Sequence, residues 1–317
     1  MVKRPQNEMG NPGSRSDLDA DETSIVTPII ETLADAVPKI RTAFETHRAY
    51  EGEENPSGEE MLAADVYADE LLESRLGDLD CVGTYASEER ADPVDTGEGL
   101  SLAVDPLDGS SNLTSNNGVG TIVGIYDAEL PATGRDLLGA IYVLYGPTTT
   151  AMVATEAGVT EYLVSDGDLD VLTEEVEIND EGAVYGFGGP VPEWSREFRR
   201  YAMSIQRRLK RRYGGALVGD VNQVLSYGGV FAYPELETRP EGKLRLQFEA
   251  NPIAFIVEQA GGESFDGDSS VLETEAERLH QRTPLFVGSE EPMAQLIETL
   301  GGRARDPHVT TRDSPWE

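Results

Sequence analysis

Lysine is nearly missing from this chain: Lys3, Lys39, Lys210 and Lys243 are the only four in 317 residues. Arginine makes up the rest of the 25 positive residues, against 59 Asp and Glu, for a net charge of −34. A surface of that sign repels nucleic acid and anionic membrane, and both are excluded as partners. Cysteine is scarcer still. Cys81 stands alone, which rules out an intrachain disulfide framework and any cysteine-rich metal site. The three histidines, His47, His280 and His308, are scattered and give histidine catalysis little support. No run approaches the ~18 apolar residues of a membrane span, and with no apolar leader at the start a cytoplasmic protein is expected.

What the chain does have is 38% apolar sequence, enough for an ample buried core. Its acidic surplus reads as a surface kept soluble in high salt, where screening shortens charge repulsion to a few Å. An ordinary acidic protein would share the sign. Against that background, eight positive residues crowd into one stretch: Arg196, Arg199, Arg200, Arg207, Arg208, Lys210, Arg211 and Arg212. Most suit a solvated helix face, while a few near its end would suit a phosphorylated ligand.

The polar ends, 1–22 and 303–317, read as loose tails. Between them we expect an α+β half over 23–178 and an α/β half over 179–302, with the acidic stretch Ser165–Glu181 as the seam. Apolar spacing predicts helices at Ser24–Arg48 with a kink or break at Pro38, Glu59–Leu76, Pro192–Arg212, Asp220–Leu225, Asn251–Gln259 and Pro292–Leu300. Alternation and turn residues predict strands at Cys81–Tyr85, Leu102–Val104, Gly118–Tyr126, Leu137–Tyr145, Thr149–Thr155, Val159–Val164, Ala183–Gly188, Gly229–Tyr233, Leu244–Phe248 and Pro284–Val287. Mixed strands and helices in two halves argue for α+β or layered α/β architecture.

The chemistry concentrates where the apolar run Leu102-Ala103-Val104 ends in Asp105 and Asp108. Two carboxylates at a strand end repel each other unless a divalent cation takes oxygens from both. Gly109 permits a tight turn, and Ser110, Ser111 and Asn112 can open a helix whose amides attract phosphate. A metal beside an oxyanion cradle is the layout of metal-assisted phosphoryl transfer to water. On its own the pentapeptide is equally an Asx-capped turn without metal. Asp65, Glu88, Glu89 and Glu249 each sit beside apolar structure rather than in a charge run, but 59 acids leave spacing alone undecided. No Cys-x5-Arg, Asp-x-Asp or Gly-x4-Gly-Lys-Ser/Thr motif points to another phosphate chemistry.

Asp105-Pro106-Leu107-Asp108-Gly109-Ser110-Ser111-Asn112 resembles the signature of class I fructose-1,6-bisphosphatase, within the lithium-sensitive phosphatase superfamily. Gly120–Tyr126, Leu144–Gly146, Tyr227–Pro234, Gly242–Leu246, Glu249–Phe255 and His280–Pro284 resemble family segments in family order. The resemblance runs from about Asp65 to Leu300. It implies a layered α/β/α/β/α sugar phosphatase fold with two mixed-sheet halves, and hydrolysis of the 1-phosphate of fructose 1,6-bisphosphate in gluconeogenesis. It also implies two or three Mg2+ per site, with Mn2+ as a substitute, and a homotetramer acting on a small phosphorylated sugar.

By the same resemblance Glu88, Asp105, Asp108 and Glu249 ligate metal with the Leu107 carbonyl, and Glu59 stands where the family has an Asp that helps a further cation. Asp65 and Glu89 orient or deprotonate the attacking water. Asp108, Gly109, Ser110 and Ser111 cradle the 1-phosphate. Tyr213, Tyr233 and Lys243 hold the 6-phosphate and sugar with Arg245 nearby, and Arg212 reaches into the neighbouring subunit's site.

The chain also departs from the family. Gly188 replaces an Asn that contacts the 6-phosphate, and Gly99-Leu100 replaces a Lys-Tyr pair that binds AMP in animal members. AMP inhibition is therefore not expected, and Cys81 alone cannot serve a thiol switch. The alternatives are sedoheptulose-1,7-bisphosphatase activity, inositol monophosphatase activity, or a non-catalytic phosphosugar-binding regulator.

Overall fold

The computed structural model describes residues 22–47, 50–56, 58 and 60–301. The first part of the chain runs through α1 (Glu22–Thr46), β1 (Tyr50–Glu54), β2 (Glu60–Leu62), α2 (Ala63–Leu76), β3 (Val82–Ser87), β4 (Val94–Asp95) and β5 (Leu100–Asp108). Then come α3 (Asn112–Ser115), β6 (Val119–Tyr126), β7 (Leu137–Tyr145), β8 (Thr149–Thr155), β9 (Gly158–Ser165) and β10 (Asp168–Thr173). Strands β3 to β10 form an eight-stranded sheet in the order β10-β9-β8-β7-β6-β5-β3-β4. Its pairings are antiparallel except for β3 with β5, which run parallel.

The second part contains β11 (Val184–Phe187), α4 (Arg196–Ile205), β12 (Lys210–Arg211), α5 (Leu217–Tyr227), β13 (Gly229–Tyr233), β14 (Leu244–Arg245) and α6 (Asn251–Gln259). It closes with β15 (Glu263–Phe265), β16 (Arg282–Thr283), β17 (Leu285–Gly288) and α7 (Glu290–Gly301). A five-stranded mixed sheet has the order β12-β11-β13-β17-β15.

Burial sorts these elements into layers. On one face of the larger sheet, Leu102, Val104, Val123 and Ile141 pack with Ile29, Leu33 and Ile40 of α1 and Leu72 of α2. On its other face Ala103, Ile122, Tyr126 and Tyr142 pack with Val218, Val221 and Leu225 of α5 and Ile253 and Ile256 of α6. The same middle layer meets Phe231 and Val287 of the smaller sheet. Outside that sheet, Phe187, Phe198, Tyr201, Phe286, Met293 and Leu296 join α4 and α7. The result is the expected helix, sheet, helix, sheet, helix order. Sheets covered on both faces need strands apolar on both sides, as β6 and β7 are.

Several elements differ from the expectation. Helix α1 runs through Pro28 and Pro38. An interior proline costs about 3 kcal/mol, but Ile29, Ile30, Leu33, Val37 and Ile40 are buried, at roughly 1.5–3 kcal/mol for each full-length side chain. Burial wins, and the helix persists. The second helix begins at Ala63, because Glu60–Leu62 pairs with β1. Helix α4 stops at Ile205, where its apolar face of Phe198, Tyr201, Ala202 and Ile205 runs out, and Lys210–Arg211 becomes an edge strand. The acidic seam holds β10, whose exposed charges suit a sheet edge. Among the described residues, no helix is long and apolar enough to cross a membrane.

Candidate active site

The parallel pairing of β3 with β5 sets Ser87 opposite Val104, so the next residues along stand side by side, Glu88 just past the end of β3 and Asp105 still within β5, paired with Ile122 of β6. The Glu88 amide donates to the Val104 carbonyl at 2.9 Å, which carries that register past the strand end. Asp105 Oδ1 accepts the Leu107 amide at 3.0 Å, and Asp108 Oδ2 accepts the Val218 amide at 2.8 Å. Glu249 arrives from much later in the chain on a π-helical turn, Leu246–Ala250. It folds back so that Oε2 accepts the Arg245 amide at 2.6 Å. Leu244–Phe248 is thus a strand for two residues only.

Glu88, Asp105 and Glu249 each bring a carboxylate oxygen within 4.8 Å of the others, and all three are buried. Burial first, then the charges of Glu88, Asp108 and Glu249, push Asp105 well above the usual carboxylate range. Asp108 is pushed up to about 7, chiefly by burial. The Arg245 guanidinium lies 3.0 Å from Glu88 Oε1 and 3.8 Å from Glu249 Oε2, and offsets part of this charge. Among the described residues, no thiol or imidazole lines the cavity. A buried, all-oxygen set with surplus negative charge fits a hard divalent cation.

Beside the cage, burial and then Asp65 raise Glu89 to about 7, while a hydrogen bond from Asn55 pulls the other way. Asp65 Oδ2 accepts the Leu62 amide at 2.8 Å and so caps α2 as well as facing the cavity. The turn after Glu89 is pinned by Arg90, whose Nε lies 2.6 Å from Asp69 Oδ2 and whose carbonyl lies 2.8 Å from His280 Nε2.

The turn after Asp108 requires glycine. Gly109 has φ +71°, and a Cβ there would lie 2.4 Å from the Ala216 Cβ. The Asn112 amide donates to the Gly109 carbonyl at 2.8 Å, but the helix it opens is only four residues long. The cradle is therefore a tight turn rather than the end of a long helix. Across the cavity, the Tyr213 and Tyr233 hydroxyls are 3.3 Å apart. Lys243 Nζ donates to the Tyr233 hydroxyl at 3.4 Å and lies 4.9 Å from its ring centre.

The cavity between these walls has a volume of about 370 Å³, inside the range of roughly 300–1,000 Å³ usual for small-molecule sites. Residues 13–174 match the fructose-1,6-bisphosphatase N-terminal domain and residues 178–301 match the C-terminal domain. The chain belongs to the fructose-1,6-bisphosphatase family.

A class 1 fructose-1,6-bisphosphatase of Natronomonas pharaonis is 54% identical over 278 residues, covering 87% of this chain and 98% of that protein. One of Haloarcula marismortui is 50% identical over 281 residues, covering 89% and 96%. Both are archaea of salty habitats, in keeping with the acidic composition. The crystal structure of Leishmania major fructose-1,6-bisphosphatase in holo form superposes with a TM-score of 0.83 at 28% identity, covering 91% of this chain and 96% of that one.

Within this fructose-1,6-bisphosphatase fold the cavity gathers Asp65, Glu88, Glu89, Asp105, Leu107, Asp108, Gly109, Ser110, Ser111, Tyr213, Tyr233, Lys243, Arg245 and Glu249. Arg245 is buried against the acidic cage rather than placed on the tyrosine wall. Arg212 does not line this chain's cavity: its Nη1 donates to Gln223 Oε1 at 3.3 Å, and its guanidinium lies 5.8 Å from the Tyr227 ring centre. Glu59 lies outside the described residues. Gly188 sits against the Tyr233 ring, where a Cβ would approach to 2.6 Å. Sequence reasoning missed Asn55 and Asp220, which also line the cavity. The Asn55-Pro56 turn and the Gly214-Gly215 pair one helical turn ahead of Asp220 were the available signals.

Proposed function

We propose that the protein is a magnesium-dependent enzyme that hydrolyses the 1-phosphate of D-fructose 1,6-bisphosphate to fructose 6-phosphate and phosphate. One observation carries the reading: three buried carboxylates from two halves of the chain converge beside a glycine turn, facing a wall of two phenols and an ammonium. In this reading the division into halves at 178/179 gives the first half most of the acidic cage and the second the sugar wall. Glu88, Asp105, Asp108 and Glu249 with the Leu107 carbonyl hold two or three Mg2+, with Mn2+ as a substitute, and Glu59 serves a further cation. Bound there, the metal supplies Lewis acidity at the phosphate and a water of lowered pKa.

The chain's own groups do the rest. Glu89, with a pKa of about 7, is matched to accept a proton from the attacking water near neutral pH, with Asp65 beside it. Gly109, Ser110 and Ser111 cradle the 1-phosphate through backbone amides. Tyr213, Tyr233 and Lys243 bind the 6-phosphate and sugar, so that the reacting phosphate is held at the cage. Arg245 balances the cage from below and faces the same ligand. In a homotetramer Arg212 serves the neighbouring subunit's site. The enzyme acts in the cytoplasm, at high salt, in gluconeogenesis.

Phosphate release from equal concentrations of fructose 1,6-bisphosphate, sedoheptulose 1,7-bisphosphate and an inositol monophosphate tests the reading. Fructose 1,6-bisphosphate should turn over fastest. Faster turnover of the inositol ester would contradict it, because the tyrosine and lysine wall would then have nothing to hold.

A further inference from the structure

Asp220 looks at first like one more acid in a cavity already rich in them. It is buried, with 3% of its surface exposed, and it lines the same space as the cage. Its bonding separates it from the others. Oδ1 accepts the Gly214 amide at 2.5 Å and Oδ2 accepts the Gly215 amide at 3.1 Å. Both oxygens are thus spent on consecutive amides of one loop, the segment that leads from Tyr213 to Ala216.

That loop is gripped from its other side as well. Asn112 Nδ2 donates to the Gly214 carbonyl and to the Gly118 carbonyl, each at 3.0 Å. Gly215 has φ +88°, a left-handed conformation that costs little only for glycine. The loop would otherwise be free to pivot, since two adjacent glycines lose more conformational freedom on ordering than any other pair. Hydrogen bonds to a charged acceptor are about twice as strong as neutral ones, so a carboxylate is a far better clamp here than an amide or hydroxyl.

We propose that Asp220 is a positioning residue for substrate recognition: it locks Gly214 and Gly215 so that Tyr213 is held against Tyr233 on the wall that receives the far phosphate. It is neither a metal ligand nor a proton acceptor in the reaction. The inference rests on the proposed function of that wall. Burial raises Asp220 to about 6 while the two amides pull it back, so the clamp is an anion at neutral pH.

The test is steady-state kinetics of full-length Asp220→Asn with fructose 1,6-bisphosphate and with an aryl phosphate monoester that has no second phosphate. Asparagine keeps the shape but turns one acceptor into a donor facing an amide, which removes a charge-assisted bond. KM for the bisphosphate should rise by about tenfold with kcat within threefold, and the preference for bisphosphate over monoester, as a ratio of kcat/KM, should fall by about the same factor. Gly215→Ala, which keeps the carboxylate but strains the amide that Oδ2 accepts, should give the same signature if Asp220→Asn does not fold.

An unaltered KM, or equal losses on both substrates, would overturn the inference. Tyr213→Phe distinguishes the two levels. A raised KM there beside a flat Asp220→Asn sinks the clamp and leaves the proposed function standing, whereas a flat Tyr213→Phe sinks both.

Discussion

On one side of the cavity Glu88, Asp105 and Glu249 crowd three carboxylates within 4.8 Å. On the other, Tyr213, Tyr233 and Lys243 present two hydroxyls and an ammonium joined by contacts of 3.3 and 3.4 Å. The first wall is built at strand ends and a helical turn, fixed by sheet register and backbone hydrogen bonds. The second hangs from a strand end and a double-glycine loop. Repelling groups must be held by rigid elements, because every relaxation open to them would move them apart. Groups that recognise an anion attract it and tolerate a looser frame. Damage to the first wall should therefore abolish turnover, and damage to the second should weaken substrate binding.

The largest effect is expected at Asp108. Asp108→Ala should lower kcat by at least about 10³-fold, given the share of the barrier that metal and oxyanion stabilisation supply, while cooperative unfolding persists. Unchanged phosphate release would remove the acidic wall from the reaction. Next comes Lys243→Met, which should raise KM by about tenfold to a hundredfold, with a smaller change in kcat, because it removes a charge-assisted contact. A fall in kcat with KM intact would erase the contrast between the walls.

A third effect is electrostatic. Glu89 and Asp108 are raised to about 7 in the fold, so the folded chain binds their protons more tightly than the unfolded chain does. Their contribution to stability is full below about pH 4 and is lost as pH rises through about 7. In chelator and molar KCl, which screens the surface, Tm should fall as pH rises from 5 to 8, and magnesium should flatten the slope. A chelated protein whose Tm rises over that window would show that the cage is not under repulsive load. The smallest effect belongs to α4: Arg199→Ala, on an exposed face and outside the cavity lining, should leave stability within about 0.5 kcal/mol and KM unaltered.

Some of this was legible in the residues and some was not, for physical reasons. Leu137–Tyr145, Thr149–Thr155, Gly229–Tyr233 and Asn251–Gln259 stand where apolar pattern and turn residues put them, since each is buried and flanked by breakers. The Asp105–Asn112 segment was legible because its chemistry is local. Strand β10 was hidden by its acids, which suit an edge and mimic a linker. The turn carrying Glu249 was hidden because Arg245 and Gln247 bond to partners a reader of spacing cannot see: the Glu249 carboxylate, and the Ala132 amide and carbonyl at 2.8 and 2.7 Å. Asp220 was passed over for a similar reason, as its role lies in two backbone amides and not in any motif.

The most direct measurement is phosphate release from fructose 1,6-bisphosphate in molar KCl, first with magnesium, then after EDTA, then after magnesium is restored, for the wild type and for Asp105→Asn. The account predicts hydrolysis that stops with chelator and returns with metal in the wild type, and a variant that stays inactive at every magnesium concentration. Hydrolysis that continues in EDTA, or an Asp105→Asn enzyme as active as the wild type, would contradict it.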